Sequence, residues 1–157
     1  MIGWIIAGSG GASDMYSQIC ATLGIGLIAV TFEVLRYLRT PLSSYITRKE
    51  EEIRERMRDW ASKVHQEGMV TAELEDEFWE IVFTYAEDID EPKYLFLSMR
   101  NSLLISGLLF IIASFLGLMP EFEVVSYTLT TGAVLMLIYA LIKFVKLDGK
   151  IKIKAIS

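Results

Sequence analysis

The chain has one cysteine, one histidine and only three prolines among its 157 residues. A lone cysteine, Cys20, closes no internal disulfide, and a lone histidine, His65, cannot supply the imidazole sets of zinc, haem or copper centres. No metal site and no cofactor is therefore expected; Cys20, inside an apolar stretch, reads as a small buried hydrophobe, and His65 as a polar helix-end residue. Charge is also sparse, with Asp, Glu, Lys and Arg at 22% against 53% hydrophobic residues and a mean hydropathy of +0.42. That balance excludes a disordered, collagen-like or disulfide-framework chain and points to a membrane. An enzyme would need a nucleophile with its base, a metal set or a carboxylate pair in a cavity, and this inventory offers none, so the chain is expected not to be an enzyme.

Lys and Arg are missing altogether from residues 1–35 and 119–123. All fifteen fall in two stretches: residues 36–100, with ten basic and fifteen acidic side chains, and the segment from Lys143 onward, with five basic and one acidic. Between the charged regions stand three apolar stretches, residues 16–38, 101–119 and 124–145. At about 1.5 Å per residue each is long enough to cross a hydrocarbon layer of about 30 Å. The positive-inside rule then puts residues 1–15 and the acidic connection Glu121, Phe122 and Glu123 outside, with residues 42–89 and the basic tail 146–157 in the cytoplasm. The expected location is the plasma membrane, multi-pass, with the N-terminus outside and the lipid bilayer as the first partner.

The start of the chain carries no basic residue, so span one reads as retained rather than as a cleaved signal, with Ser13 and Asp14 as N-cap candidates. Trp4 within an apolar patch at residues 2–6 suits an interface, and the glycine-rich residues 8–11 lack the Gly-Lys-Ser/Thr of a phosphate loop and read as a link. Pro120 ends span two, and the short connection makes spans two and three an antiparallel transmembrane pair. The alternating lysines of the tail read as a basic anchor on an anionic leaflet rather than a short strand.

Between spans one and two, Ile46, Ile53, Met57, Trp60 and Val64 recur at helical spacing, with Glu50 and Arg54, and Glu52 and Arg56, placed for i,i+4 pairing. Gly68 ends this helix, and Thr71 is the expected N-cap of a second one, whose face is Leu74, Phe78, Ile81 and Tyr85. The first is rich in arginine and the second in acid, which favours antiparallel pairing; Asp90, Glu91 and Pro92 are expected to break the second helix. The fold class expected is all-α: an integral membrane protein with three transmembrane helices and a cytoplasmic antiparallel helical hairpin between spans one and two. The hairpin is the expected partner-docking arm, built on Ile53, Met57, Trp60, Leu74, Phe78 and Ile81. Its net acidity excludes nucleic acid as a partner.

Ionisable residues inside a span are the default functional candidates, which selects Glu33 and Arg36. Asn101, Ser102, Ser106 and Lys143 fall at the same depth, so the six are expected to line a polar pocket open to the cytoplasm, unless Glu33 and Arg36 are simply hydrated at the interface and pair with each other. Ser126, Thr128, Thr130 and Thr131 read as hydrogen-bonding glue between helices. Thr22 with Gly26, Ser102 with Ser106 and Ala113 with Gly117 form small-xxx-small pairs, with Gly26, Ala113 and Gly117 as close-approach points.

The order of these parts resembles the Oxa1/YidC insertase superfamily in its smallest, archaeal DUF106-like form: an outside N-terminus, one span, a cytoplasmic helical hairpin, then two spans joined outside. The resemblance is one of topology and covers nearly the whole chain. It implies a hydrophilic groove lined by Arg36, Asn101, Ser102, Ser106 and Lys143, a hairpin at residues 42–89 that receives the client, and a role in membrane-protein biogenesis. The hairpin departs from that family in being acidic rather than lysine-rich. The rival expectation is a structural or scaffold subunit of a membrane complex, homo- or hetero-oligomeric, that docks other membrane subunits through the hairpin; an ion-conducting or stator-like subunit is its special case, with Glu33 as the acid within a span.

Overall fold

The computed structural model describes residues 12–156, with side chains over 14–151. The patch around Trp4 and the glycine-rich residues 8–11 lie outside the described residues. Four helices account for nearly all of the rest: α1 (Ala12–Glu67), α2 (Ala72–Tyr85), α3 (Glu91–Gly117) and α4 (Glu123–Ile156), with a π-helical turn at Ala86–Asp90 and a 3-10 turn at Pro120–Phe122. No strand occurs among the described residues. Three stretches, Asp14–Glu67, Ala72–Gly117 and Pro120–Ile151, are long and apolar enough to cross a membrane.

Two expectations of interruption are corrected. Span one and the first arm of the hairpin form one helix, which passes through Pro41. The ring removes the N–H that would serve the carbonyl of Tyr37, but Tyr37 and Pro41 are both exposed, so no close-packed interior is disturbed. Asp90, Glu91 and Pro92 do not break the second helix either: the π turn widens it, and Pro92 becomes the second residue of α3. The lysine-rich tail continues α4 as helix to Ile156. Ser13 and Asp14, read as caps, fall inside the first turn of α1.

The described residues divide into two compact units, residues 12–36 with 98–145 and residues 37–97 with 146–156. In the first, α1 runs antiparallel to α3 and parallel to α4. Ser17 Oγ donates to the Ser114 carbonyl at 2.6 Å at one end of the α1–α3 contact. Further along, Gly24 meets Gly107 so closely that a Cβ on Gly24 would lie 2.8 Å from the Gly107 carbonyl oxygen and 2.7 Å from Ile111 Cγ1. A small core of Cys20, Phe110 and Ala133 lies among Tyr16, Leu27 and Leu109. Cys20 is thus the buried hydrophobe its setting suggests.

In the second unit, the C-terminal arm of α1 and α2 pack antiparallel. Gly68, at φ +70°, closes α1 in the left-handed conformation that glycine adopts without strain. Thr71 caps α2 by accepting from the Leu74 N–H. Ile53, Ile81 and Ile89 form the buried seam, with Ile46, Met57 and Trp60 against it, and Trp60 Nε1 donates to the Leu74 carbonyl at 2.7 Å. Arg56 with Glu80 (2.9 Å) and Lys63 with Glu77 (2.7 Å) bridge one side of the pair.

Candidate functional site

In the first unit the six expected pocket residues do not gather on one face. Ser102 and Ser106 are buried, and Ser106 Oγ donates to the Ala133 carbonyl at 2.8 Å, so that hydroxyl joins α3 to α4. Asn101, one residue and about 100° away around a helix, is exposed, and its Oδ1 accepts from the Arg100 guanidinium at 3.1 and 3.2 Å. Glu33 and Arg36 are exposed as well, and no ion pair joins them among the described residues. Lys143 is half-buried, its ammonium 5.0 Å from the Tyr139 ring centroid in a cation–π contact.

A denser polar cluster lies where α3 ends and α4 begins. Ser126 Oγ donates to the Ala113 carbonyl at 2.7 Å. The Tyr16 hydroxyl bonds to Thr130 Oγ1 and lies 3.3 Å from the Ser126 carbonyl, which it reaches as donor. Ser126 and Thr130 are therefore interhelical, while Thr128 and Thr131 donate to carbonyls of their own helix, at Val124 (2.9 Å) and Tyr127 (3.0 Å). Tyr16, Ser17 and Ser114 were not singled out from sequence; their hydroxyls at the end of an apolar run were the available signal. Among the packing glycines, Gly117 lies against Ser126 and Tyr16, and Ala113 is fully buried, but Gly26 has nothing within 4 Å of its Cβ direction. Gly24 and Gly107 hold the close approach instead.

In the second unit, Ile53, Leu74 and Ile81 are buried and Met57, Trp60 and Phe78 half-buried. Most of these expected docking side chains are spent on the seam within the hairpin. Two other surfaces stand open. One is a ridge on the back of α2, where Trp79 is 49% and Phe83 69% exposed, their rings 6.3 Å apart, with Glu75, Asp76 and Glu87 beside them, also exposed. The other is an open groove of about 560 Å³ lined by Glu50, Ile53, Arg54, Met57, Arg58, Ala61 and Tyr85.

The ion pairs around that groove differ from the i,i+4 expectation. Glu50 pairs with Lys93 at 3.1 Å, and Glu52 lies within ion-pair reach of Arg48 and Lys49. Arg56 reaches across to Glu80. Arg54 and Arg58 are exposed and make no ion pair among the described residues. The groove thus has an apolar floor with two uncommitted guanidinium groups. No family model matches the chain, and no curated protein or solved structure does so either.

Proposed function

We propose that the chain is a non-catalytic multi-pass membrane protein that serves as a structural subunit, docking partners through the arm formed by residues 42–89. The observation that carries this is the pair of open faces on the arm, the Trp79–Phe83 ridge and the groove around Met57. Exposed apolar area framed by charge is characteristic of interaction surfaces. The hydroxyls of Ser17, Ser106 and Ser126 go to carbonyls of neighbouring helices, which suits a rigid anchor. On the distribution of Lys and Arg we assign the arm and the tail to the cytoplasm and residues 1–15 to the outside of the plasma membrane.

A second reading, an insertase-like role in membrane-protein biogenesis, is favoured by the exposed Glu33, Arg36 and Asn101. Polar side chains on the outside of a span-forming unit are unfavourable against lipid and suit a hydrated groove or a client. Gentle-detergent purification of the tagged protein followed by mass spectrometry separates the two. A fixed stoichiometric set of membrane subunits supports the structural role. Ribosomal, targeting or nascent membrane proteins in its place support the insertase-like role, and recovery of neither overturns both.

A further inference from the structure

The two open faces of the arm have complementary chemistry. The groove presents Arg54 and Arg58 over a floor of Ile53, Met57 and Ala61. The ridge presents Trp79 and Phe83 between Glu75, Asp76 and Glu87. None of these five charged side chains makes an ion pair among the described residues. Within one chain the two faces do not meet. With the Leu74 and Ile81 side of α2 turned to α1, the helical repeat of 3.6 residues puts Trp79 and Phe83 on its far side.

We propose that a second copy of this chain occupies the groove, inserting its Trp79–Phe83 ridge over Met57 and Ala61 while its acidic residues face Arg54 and Arg58. Uncommitted positive charge around an apolar floor on one face and uncommitted negative charge around an aromatic ridge on another are what a self-complementary, charge-registered contact requires. Aromatic anchors seated in a pocket beside arginine are also the usual centre of an interface. An anionic lipid surface fits less well, because Glu50, Glu51, Glu55 and Asp59 lie on the same arm as the two arginines. The contact uses only the arm and does not depend on which functional reading holds.

The test uses the full-length chain in a Cys20→Ser background, with two differently tagged forms co-reconstituted in phosphatidylcholine vesicles. One form carries Ala61→Cys in the groove; the other carries Ala72→Cys or Ala86→Cys, at either end of the ridge, so that both orientations of the helices are read. A short bismaleimide is expected to join the two tags, and Ser62→Cys, exposed and about 100° further round α1 from Ala61, is expected to give a clearly lower yield. Arg54→Glu with Arg58→Glu should lower the inter-copy yield on the order of tenfold, as expected for loss of close charge pairs. Glu75→Arg with Asp76→Arg on the other copy should restore it, a rescue that a misfolded arm would not give. A yield equal to that of Ser62→Cys, a yield indifferent to charge reversal, or failure of the swap to rescue overturns the proposal. So does protection of Ala61→Cys from maleimide by phosphatidylserine vesicles with no effect of a second copy, which would assign the arginines to headgroups.

Discussion

Gly24 and Gly26 are two residues apart and have opposite surroundings. A side chain on Gly24 would meet backbone, the Gly107 carbonyl, which cannot swing aside, whereas Gly26 faces open space. Gly24→Leu is therefore expected to force α1 and α3 apart and to cost about 2 kcal/mol or more, in the range of overpacked cores. Gly26→Leu should stay within about 0.5 kcal/mol, as surface changes do. Denaturation of the detergent-purified variants checks the contrast, and equal losses would mean that the Gly24–Gly107 crossing is not a tight contact. Ser106→Ala removes one interhelical hydrogen bond and should cost about 0.6 kcal/mol, the average for such bonds in membrane bundles. Sequence located the class of these residues but not their direction. Small-xxx-small spacing fits the Thr22–Gly26 pair as well as it would fit Gly24, because the pattern does not encode which side of a helix faces a neighbour. Only the partner's matching glycine at 107 decides it. For the same reason Ser102 and Ser106 were grouped with Asn101 by depth, although a step of one residue turns them to different sides.

At the scale of elements, the junction of α2 and α3 shows how a proline can lie in a continuous helix. In the π turn the Ala86 carbonyl accepts from the Glu91 N–H. The next carbonyl, Glu87, would look one turn on to Pro92, which has no N–H to give. Lys150 of α4 comes to that carbonyl at 3.5 Å and also pairs with Glu91. Lys150→Met is therefore expected to destabilise the protein by about 1 kcal/mol, the usual net value of a hydrogen bond. Pro92→Ala restores the missing donor, so in that background the same change should cost less, and a double-mutant cycle by denaturation measures the coupling. Additive effects would show that Lys150 does not serve the Glu87 carbonyl. Here sequence misread the outcome: Asp90, Glu91 and Pro92 have the composition of a helix end, and the compensating lysine lies 58 positions after Pro92. The cap at Thr71 and the stop at Gly68 were legible because their chemistry is local: a hydroxyl accepting from an N–H three residues on, and a residue tolerant of positive φ. The seam of Ile53 and Ile81 was legible from periodicity alone.

For the whole molecule, direction follows from charge. In the first unit α1 lies parallel to α4, with Tyr16 beside Ser126 and Thr130, and antiparallel to α3, with Ser17 beside Ser114. If the three helices span a bilayer, the start of α1 and the turn at Pro120–Phe122 face the same side. Neither carries Lys or Arg, while ten basic residues lie in 36–100. Moving those ten charges across the membrane is the costlier orientation, so the turn is expected outside and the arm inside. Single cysteines in a Cys20→Ser background test this: Glu121→Cys in the turn and Val70→Cys at the exposed tip of the arm. In intact cells a membrane-impermeant maleimide should label Glu121→Cys, and Val70→Cys only after permeabilisation. The reverse pattern would place the arm outside and remove the cytoplasmic partners from consideration. Labelling of both in intact cells would mean that the turn and the tip share a side, which a spanning arrangement of α3 does not allow.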